Sequence, residues 1–154
     1  CTQARPANLK TIPAMAKPTA PFHPAYFQVR FKVDSPIVDW PERFAIITAY
    51  ATTGETWSAS RNEEADRRLH AELLQRGCSP IRVTGYDPHT GHGEPGWAVA
   101  LERDAAIAIG RAYHQDAIFF VDGDTLDVCS CGENGAGAAV GSYRERVSNA
   151  SPSE

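Results

Sequence analysis

The sequence predicts an α+β or α/β fold, in which two helices pack on a mixed sheet of about six strands. Between residues 44 and 128, apolar strand-like runs alternate twice with helical patterns, which is typical of two consecutive strand–helix–strand units. The chain of 154 residues is long enough for one hydrophobic core and too short to suggest two. We therefore expect one layered domain.

The two ends of the chain differ from this central region. Five prolines and little hydrophobic period in residues 1–24 predict a disordered, Pro-rich leader. We expect a single globular domain over residues 25–147 and a polar tail over 148–154. Met15 is the only methionine and is interpreted as the natural start. A mature lipoprotein beginning at Cys1 is the alternative.

Composition excludes several classes of protein. A net charge of −4 disfavours a nucleic-acid partner, which would need clustered Lys and Arg. No apolar run approaches the roughly 20 residues of a membrane helix, so no membrane partner is predicted. No glycine-rich phosphate fingerprint precedes a helix, and no cofactor is predicted.

The first predicted unit follows a half-buried strand, which the alternation of apolar and polar residues over 27–33 indicates. The continuous apolar run FAIITAY (44–50) predicts a strand that is covered on both faces. Ser60 and Glu63 form a capping box with Ser60 as N-cap, and Gly77 is expected to end the helix. Four-residue spacing gives an inward stripe of Ala65, Leu69 and Leu73, and an outward set of Asp66, Arg67 and Glu72.

The second unit repeats this plan. Strands are predicted over 80–86, 97–101, 117–121 and 125–129, and a helix over 102–114. Asp122-Gly123 is a two-residue hairpin signal. We expect a flexible Gly-rich connection over 132–141 and a short helix over 142–146. The inward residues of the helix are predicted to be Ala105, Ala108, Ile109 and Ala112.

The four cysteines do not form a zinc-binding pattern, because Cys129 and Cys131 are one residue too close for a C-x-x-C arm. Alternate residues of a strand share a face but lie too far apart for easy bridging. We predict reduced thiols and a cytoplasmic protein.

Polar residues at the edges of the apolar segments define a candidate ligand-binding site. They are Thr48, Ser58, Asn62, Glu94 and Gln115. A helix start near the carboxyl end of a strand attracts polar or anionic ligands. The alternative is that Ser58 and Asn62 serve only as helix caps.

Glu94 is the candidate catalytic residue. It precedes the strand predicted from Trp97, so its carboxylate can be held rigidly as a general base or as an acceptor for a ligand amine. His89 and His92 lie on the same Gly-rich loop, where we expect solvated side chains and no metal site. Gln115 either bonds free carbonyls at the helix end or points into the same pocket as Asn62.

Several segments together resemble a known family. They are FAIITAY (44–50), Ser58, Asn62, Leu69, RVTGYDP (82–88), GHGEPGWAV (91–99), QDAIF (115–119) and GSYRER (141–146). This pattern resembles the bacterial family called domain of unknown function 3293, over roughly residues 26–147. The resemblance implies a small bacterial cytosolic protein without an assigned activity.

Three functional hypotheses follow. The first is a non-catalytic binder of a small polar ligand or peptide, and the second is an enzyme that uses Glu94 as general base while Asn62 and Gln115 orient the substrate. The third is a protein-interaction module that acts through Trp57, Trp97 and the Gly-rich C-terminal segment.

Overall fold

A computed structural model describes residues 24–34, 39–50, 57–132 and 136–149. A 3₁₀ turn, Pro24–Phe27, precedes the regular elements. These elements are β1 (Arg30–Val33), β2 (Arg43–Ile47), α1 (Ala59–Gln75), β3 (Ile81–Tyr86), β4 (Gly93–Val99), α2 (Arg103–Ala112), β5 (Ala117–Asp122), β6 (Thr125–Ser130), β7 (Gly137–Ser142) and β8 (Val147–Asn149). Of the leader predicted over residues 1–24, Pro24 begins this turn and the rest lies outside the described residues.

The prediction of two helices on a mixed sheet is confirmed, but the expected number of about six strands is too low. The described residues form one sheet of eight strands in the order β7-β6-β5-β2-β4-β3-β1-β8. The additional strands β7 and β8 arise from the segments predicted as a flexible connection and a polar tail. Residues 143–146 form a turn between them, and the short helix predicted there is wrong.

The centre of the sheet is built from two interlocked strand–helix–strand units. Each unit leaves a gap of one strand that the other unit fills, which gives the order β5-β2-β4-β3 with every neighbouring pair antiparallel. This is the split βαβ arrangement of ferredoxin-like sheets. Strands β1 and β8 extend it on one side and form the parallel pair of the sheet.

Both helices pack on one face of the sheet. Leu69 and Leu73 of α1 share a buried cluster with Ile107 and Ile109 of α2. The inward face predicted for α2 is wrong in part, because Ile109 is buried and Ala105 half-buried, but Ala108 and Ala112 are exposed. The larger apolar area of Ile107 and Ile109 determines how the helix is rotated, since burying an isoleucine is worth more than burying an alanine.

The opposite face of the sheet is concave and has its own core. Only residues 143–146 join the edge strands β7 and β8, and they reach roughly 17 Å when fully extended. Eight flat strands would separate these edges by roughly 34 Å. The sheet therefore curls into a half-barrel, and the ring of Tyr143 lies against Phe31 and Phe44 inside it.

Arg146 ties the two edges of the half-barrel together. Its Nη1 donates to the carbonyl oxygens of Phe27 and Val29 at 3.1 and 3.0 Å, and its Nη2 donates to that of Val140 at 3.2 Å. One side chain thus bonds the segment before β1 and the opposite edge strand β7.

Both ends of α1 were predicted from the sequence, and the prediction is confirmed only for the carboxyl end. The N-cap is Ser58, whose Oγ accepts from the backbone N–H of Arg61 at 3.1 Å, so the prediction of Ser60 as N-cap is wrong. At the other end Gly77 has a φ of 84°, and its N–H donates to the carbonyl of Leu74. Gly77 therefore ends the helix in a Schellman motif, as predicted.

Candidate ligand-binding site

One end of the half-barrel collects polar residues from three neighbouring strands. Ile47 of β2 pairs with Trp97 of β4, and Ile46 pairs with Phe119 of β5, so the carboxyl end of β2 meets the amino ends of β4 and β5. Successive side chains in a strand point to opposite faces. A residue two positions along the strand from a concave-core residue therefore also points to the concave face. Thr48, Glu94 and Gln115 therefore meet on the concave face.

These residues line a cavity of about 170 Å³. Its wall is largely apolar and is formed by Val29, Phe31, Ile46, Ala117 and Phe119. Its polar end is formed by Thr48, Asp87, His92, Glu94 and Gln115. Tyr26, Gly85 and Tyr86 complete the lining.

Two glycines, one in β3 and one in β4, differ in the space around them. A Cβ on Gly96 would lie 2.7 Å from both the carbonyl oxygen of Ile47 and Cγ2 of Thr48, so β2 and β4 approach closely here because residue 96 has no side chain. A Cβ on Gly85 would meet Phe31 and Val29 at 3.5 Å, which is ordinary contact. Gly96 is therefore required by packing, whereas Gly85 leaves space.

Gln115 is fixed by the end of α2. His114 has a φ of 62°, and the N–H of Gln115 returns to the carbonyl of Gly110 at 2.9 Å, which closes the helix in a Schellman motif. The side-chain Nε2 of Gln115 donates to the carbonyl oxygens of Tyr50 at 2.8 Å and Tyr113 at 3.3 Å. Gln115 thus bonds a free carbonyl at the helix end and lines the cavity, but it does not share that cavity with Asn62.

Thr48 and Gln115 share the cavity with the carboxyl group of Glu94. The hydroxyl of Thr48 donates to Oε1 of Gln115 at 3.0 Å, and all three side chains line the cavity. Burial raises the pKa of Glu94, while His92, with its Nε2 3.4 Å from Oε2, acts to lower it. Glu94 belongs to strand β4, which starts at Gly93, four residues earlier than predicted.

Ser58 and Asn62 are not among the residues that line this cavity. Ser58 caps α1, and Asn62 lies in the first helical turn, where its N–H donates to the carbonyl of Ser58 at 3.0 Å. Among the described residues that line the cavity, none is Lys or Arg. The cavity does not offer the positive charge that an anionic ligand would need.

A buried ion pair that the sequence analysis missed lies on the helix-covered face. Asp66, predicted to face water, is 8% exposed and accepts from Nη1 and Nη2 of Arg82 at 3.0 and 2.6 Å. Nε1 of Trp97 also donates to it at 3.1 Å. The helical spacing of Asp66, Leu69 and Leu73 was a signal for its burial.

Tyr50 follows β2 and bonds Gln115, one of the residues that line the polar end of the cavity. The pKa of the Tyr50 hydroxyl is raised, first by burial and then by the negative charge of Asp66, with Glu94 adding a weaker effect. Its carbonyl oxygen accepts from Gln115. Tyr50 therefore holds the Gln115 amide in place through its backbone.

The aromatic residues of the third hypothesis lie in different environments. Trp97 is 8% exposed, stacks on His70 at 4.1 Å, and belongs to the helix-side core. The guanidinium of Arg61 covers the ring of Trp57 at 3.9 Å. Residues 137–142 of the Gly-rich segment form edge strand β7.

Three further observations concern the described residues alone. No three His, Cys, Asp or Glu side chains within them gather as a metal ion would require. No helix in this part of the chain is long and apolar enough to cross a membrane. Cys78, Cys129 and Cys131 are free, and burial raises the pKa of the Cys129 thiol and raises that of Cys131 to about 11.

Comparison with known proteins gives one family match, over part of the chain, and no activity. No curated protein matches the chain, and no solved structure matches it. A family model described as protein of unknown function (DUF3293) matches residues 47–118, a span that contains Thr48, Glu94 and Gln115. This match agrees with the resemblance seen in the sequence and supports a relationship of residues 47–118 to the domain of unknown function 3293 family.

Proposed function

We propose that this chain is a binding domain that takes a small organic ligand into the hollow of the half-barrel. The observation behind this proposal is the cavity of about 170 Å³, which has an apolar wall and a hydrogen-bonding end. Binding sites for small molecules typically combine such a wall with a few polar groups that fix orientation. An apolar cavity of about 150 Å³ in another protein accepts benzene, so a ring-sized ligand suits this volume.

An enzyme is the second candidate, and the environment of Glu94 favours it. A carboxyl group that lies in a cavity, and whose pKa is raised by burial, is a stronger proton acceptor than a solvated one. The sequence predicts that Asn62 and Gln115 orient the substrate. Because Gln115 and Thr48 line the cavity and Asn62 does not, we assign this role to Gln115 and Thr48.

A fragment screen tests the binding proposal. Small cyclic compounds are screened by thermal shift, and each hit is mapped by ¹H–¹⁵N NMR onto the wild type and onto Gly85→Ala. The added methyl projects into the hollow, where overcrowding of about 1–3 kcal/mol would weaken a true hollow ligand roughly tenfold or more. Thr84→Val, on the same strand but on the other face, is the matched control.

Two results contradict the proposals. Hits that bind Gly85→Ala as tightly as they bind the wild type do not occupy the hollow, and such hits would refute the hollow as the site.

The enzyme proposal needs a separate measurement. Each ligand that binds in the hollow is incubated with the protein and followed by NMR for chemical conversion. Turnover that Glu94→Gln abolishes even at a saturating ligand concentration supports the enzyme, and absence of turnover in the wild type rejects it.

Bacterial origin and a cytoplasmic location are also part of the proposal. They are supported by the family resemblance and by the free thiols of Cys78, Cys129 and Cys131, since reduced cysteines are usual in the cytoplasm. Fractionation of the native cells, with detection of the protein in the cytoplasmic or the membrane fraction, tests the location.

A further inference from the structure

We infer that the ligand carries a positively charged hydrogen-bond donor, such as a primary ammonium or an amidinium group, which binds between the hydroxyl oxygen of Thr48 and the carboxylate of Glu94. This inference rests on the proposed binding function and narrows it to a class of ligand. It depends on the direction of the hydrogen bonds at the polar end of the hollow.

The direction is set at Gln115. Its amide group faces two backbone carbonyl oxygens, those of Tyr50 and Tyr113, at 2.8 and 3.3 Å. Carbonyl oxygens only accept hydrogen bonds, so the NH₂ group of the amide must be on this side. The oxygen Oε1 therefore points toward Thr48 and needs a donor.

Thr48 supplies that donor, and this bond uses its only hydroxyl proton. A hydroxyl group has one proton and two acceptor lone pairs, and the proton of Thr48 is used in the 3.0 Å bond to Oε1 of Gln115. The same proton cannot also serve Glu94. The Thr48 hydroxyl can therefore only accept a hydrogen bond from a ligand in the hollow.

The remaining polar groups of the hollow also favour a cationic donor. An ionised carboxylate only accepts hydrogen bonds, and the lining contains two carboxyl side chains, Asp87 and Glu94. His92 is the one lining residue of the described chain that can carry positive charge, and its side chain is 74% exposed. A ligand anion would meet two carboxylates here, whereas an ammonium group would satisfy acceptors on Thr48 and Glu94 together.

Three probes of similar shape test this assignment: benzylamine, benzyl alcohol and benzoate. We expect benzylamine to bind about tenfold more tightly than benzyl alcohol, because charge-assisted hydrogen bonds are roughly twice as strong as neutral ones. We expect benzoate to be the weakest. Dissociation constants come from ¹H–¹⁵N NMR titrations, in which the amide signals of Thr48, Glu94 and Gln115 should shift.

Variants connect the preference to the two acceptors. Glu94→Gln should remove the preference for the amine, whereas Glu64→Gln, the same change on the exposed face of α1, should keep it. If Glu94→Gln does not fold, Thr48→Val removes the other acceptor at nearly constant volume, and the preference should fall there too.

The possible failures are distinguishable. Benzyl alcohol or benzoate binding in the hollow as tightly as benzylamine would overturn the inferred ligand class and leave the binding function intact. A preference for benzylamine that survives both Glu94→Gln and Thr48→Val would also overturn it. Absence of binding by all three probes would contradict the ligand class and the proposed function together.

Discussion

The hydroxyl of Thr48 donates to the amide oxygen of Gln115 across 3.0 Å, although 67 residues separate them in the chain. Thr48 follows the end of β2, and Gln115 follows the Schellman turn of α2. The bond therefore joins the two interlocked strand–helix–strand units at the rim of the hollow. Any ligand that enters the hollow meets this pair.

The first prediction concerns the coupling of this pair. Thr48→Val leaves Oε1 of Gln115 without its donor, and Gln115→Leu leaves Thr48 and the carbonyl of Tyr50 unpaired. Each change should lower the free energy of unfolding by about 1–2 kcal/mol, the usual cost of an unsatisfied partly buried polar group. Urea denaturation of both single variants and the double variant measures this.

The double variant decides whether the bond itself is important. If it is, the double variant loses less than the sum of the two single changes, by about 0.5 kcal/mol or more. Strict additivity would mean that the two side chains act independently.

The second prediction compares Gly96, where β2 and β4 approach closely, with Gly85, which lines the hollow. Gly96→Ala should destabilise the protein by about 1–3 kcal/mol, because its Cβ would lie 2.7 Å from the backbone carbonyl oxygen of Ile47. Gly85→Ala should be neutral or stabilising by up to about 1 kcal/mol, because its Cβ makes ordinary contacts and alanine loses less entropy on folding. Thermal denaturation of both variants would contradict this ranking if Gly85→Ala lost more stability.

The third prediction concerns the buried ion pair of Asp66 and Arg82. Asp66→Ala removes the acceptor of Arg82 and of Nε1 of Trp97, and should cost about 3 kcal/mol because a cation is left without its partner. Glu64→Ala, which breaks exposed ion pairs on the same helix, should change stability by less than about 1 kcal/mol. Equal losses in chemical denaturation would show that the pair is not a stabilising element.

Local patterns in the sequence were sufficient for the two helices and the central strands. The apolar run before Thr48, Gly77 and the Asp122-Gly123 hairpin are each determined by neighbouring residues, and the hairpin forms with Asp122 opposite Thr125. Strands β7 and β8 were missed because their residues are small or polar. They are ordered by pairing with β6 and β1, which is a long-range effect that no local period reveals.

The candidate site was predictable only in part for the same reason. Thr48, Glu94 and Gln115 meet because antiparallel pairing brings the end of β2 against the starts of β4 and β5. Ser58 and Asn62 lie at the start of α1, and both helices pack on one face of the sheet. The cavity opens on the other, concave face, so these two residues do not line it. Sequence alone gave the residue types at the strand ends, but the strand order decided which of them share a face.

The fourth prediction uses the two residues that end the helices with positive φ. His114→Gly should raise the free energy of unfolding by about 1 kcal/mol, because glycine adopts a φ of 62° without the steric cost of a Cβ. Gly77→Ala should lower it by about 1 kcal/mol, and a Cβ there would touch nothing within 4 Å, so the loss would be purely conformational. Thermal denaturation measures both, and stabilisation by Gly77→Ala would contradict the argument.

The last prediction concerns the dependence of stability on pH. Burial raises the pKa of Glu94 above its ordinary value of 4.5. Between 4.5 and the raised folded value, the native state binds more protons than the unfolded chain, so its stability falls as the pH rises. The contribution of the neutral carboxyl group is fully present below the unfolded pKa and is lost as the pH passes the folded pKa.

Chemical denaturation across this window, with Glu94→Gln as the reference, measures that contribution. The stability of the wild type relative to Glu94→Gln should decline through the window and become constant above it. His92→Asn should extend the decline to higher pH, because His92 lowers the pKa of Glu94. Parallel curves for the wild type and Glu94→Gln would mean that the carboxyl group is solvated in the folded protein. A solvated Glu94 could not distinguish an ammonium ligand by charge in the way inferred above, because water would screen the attraction.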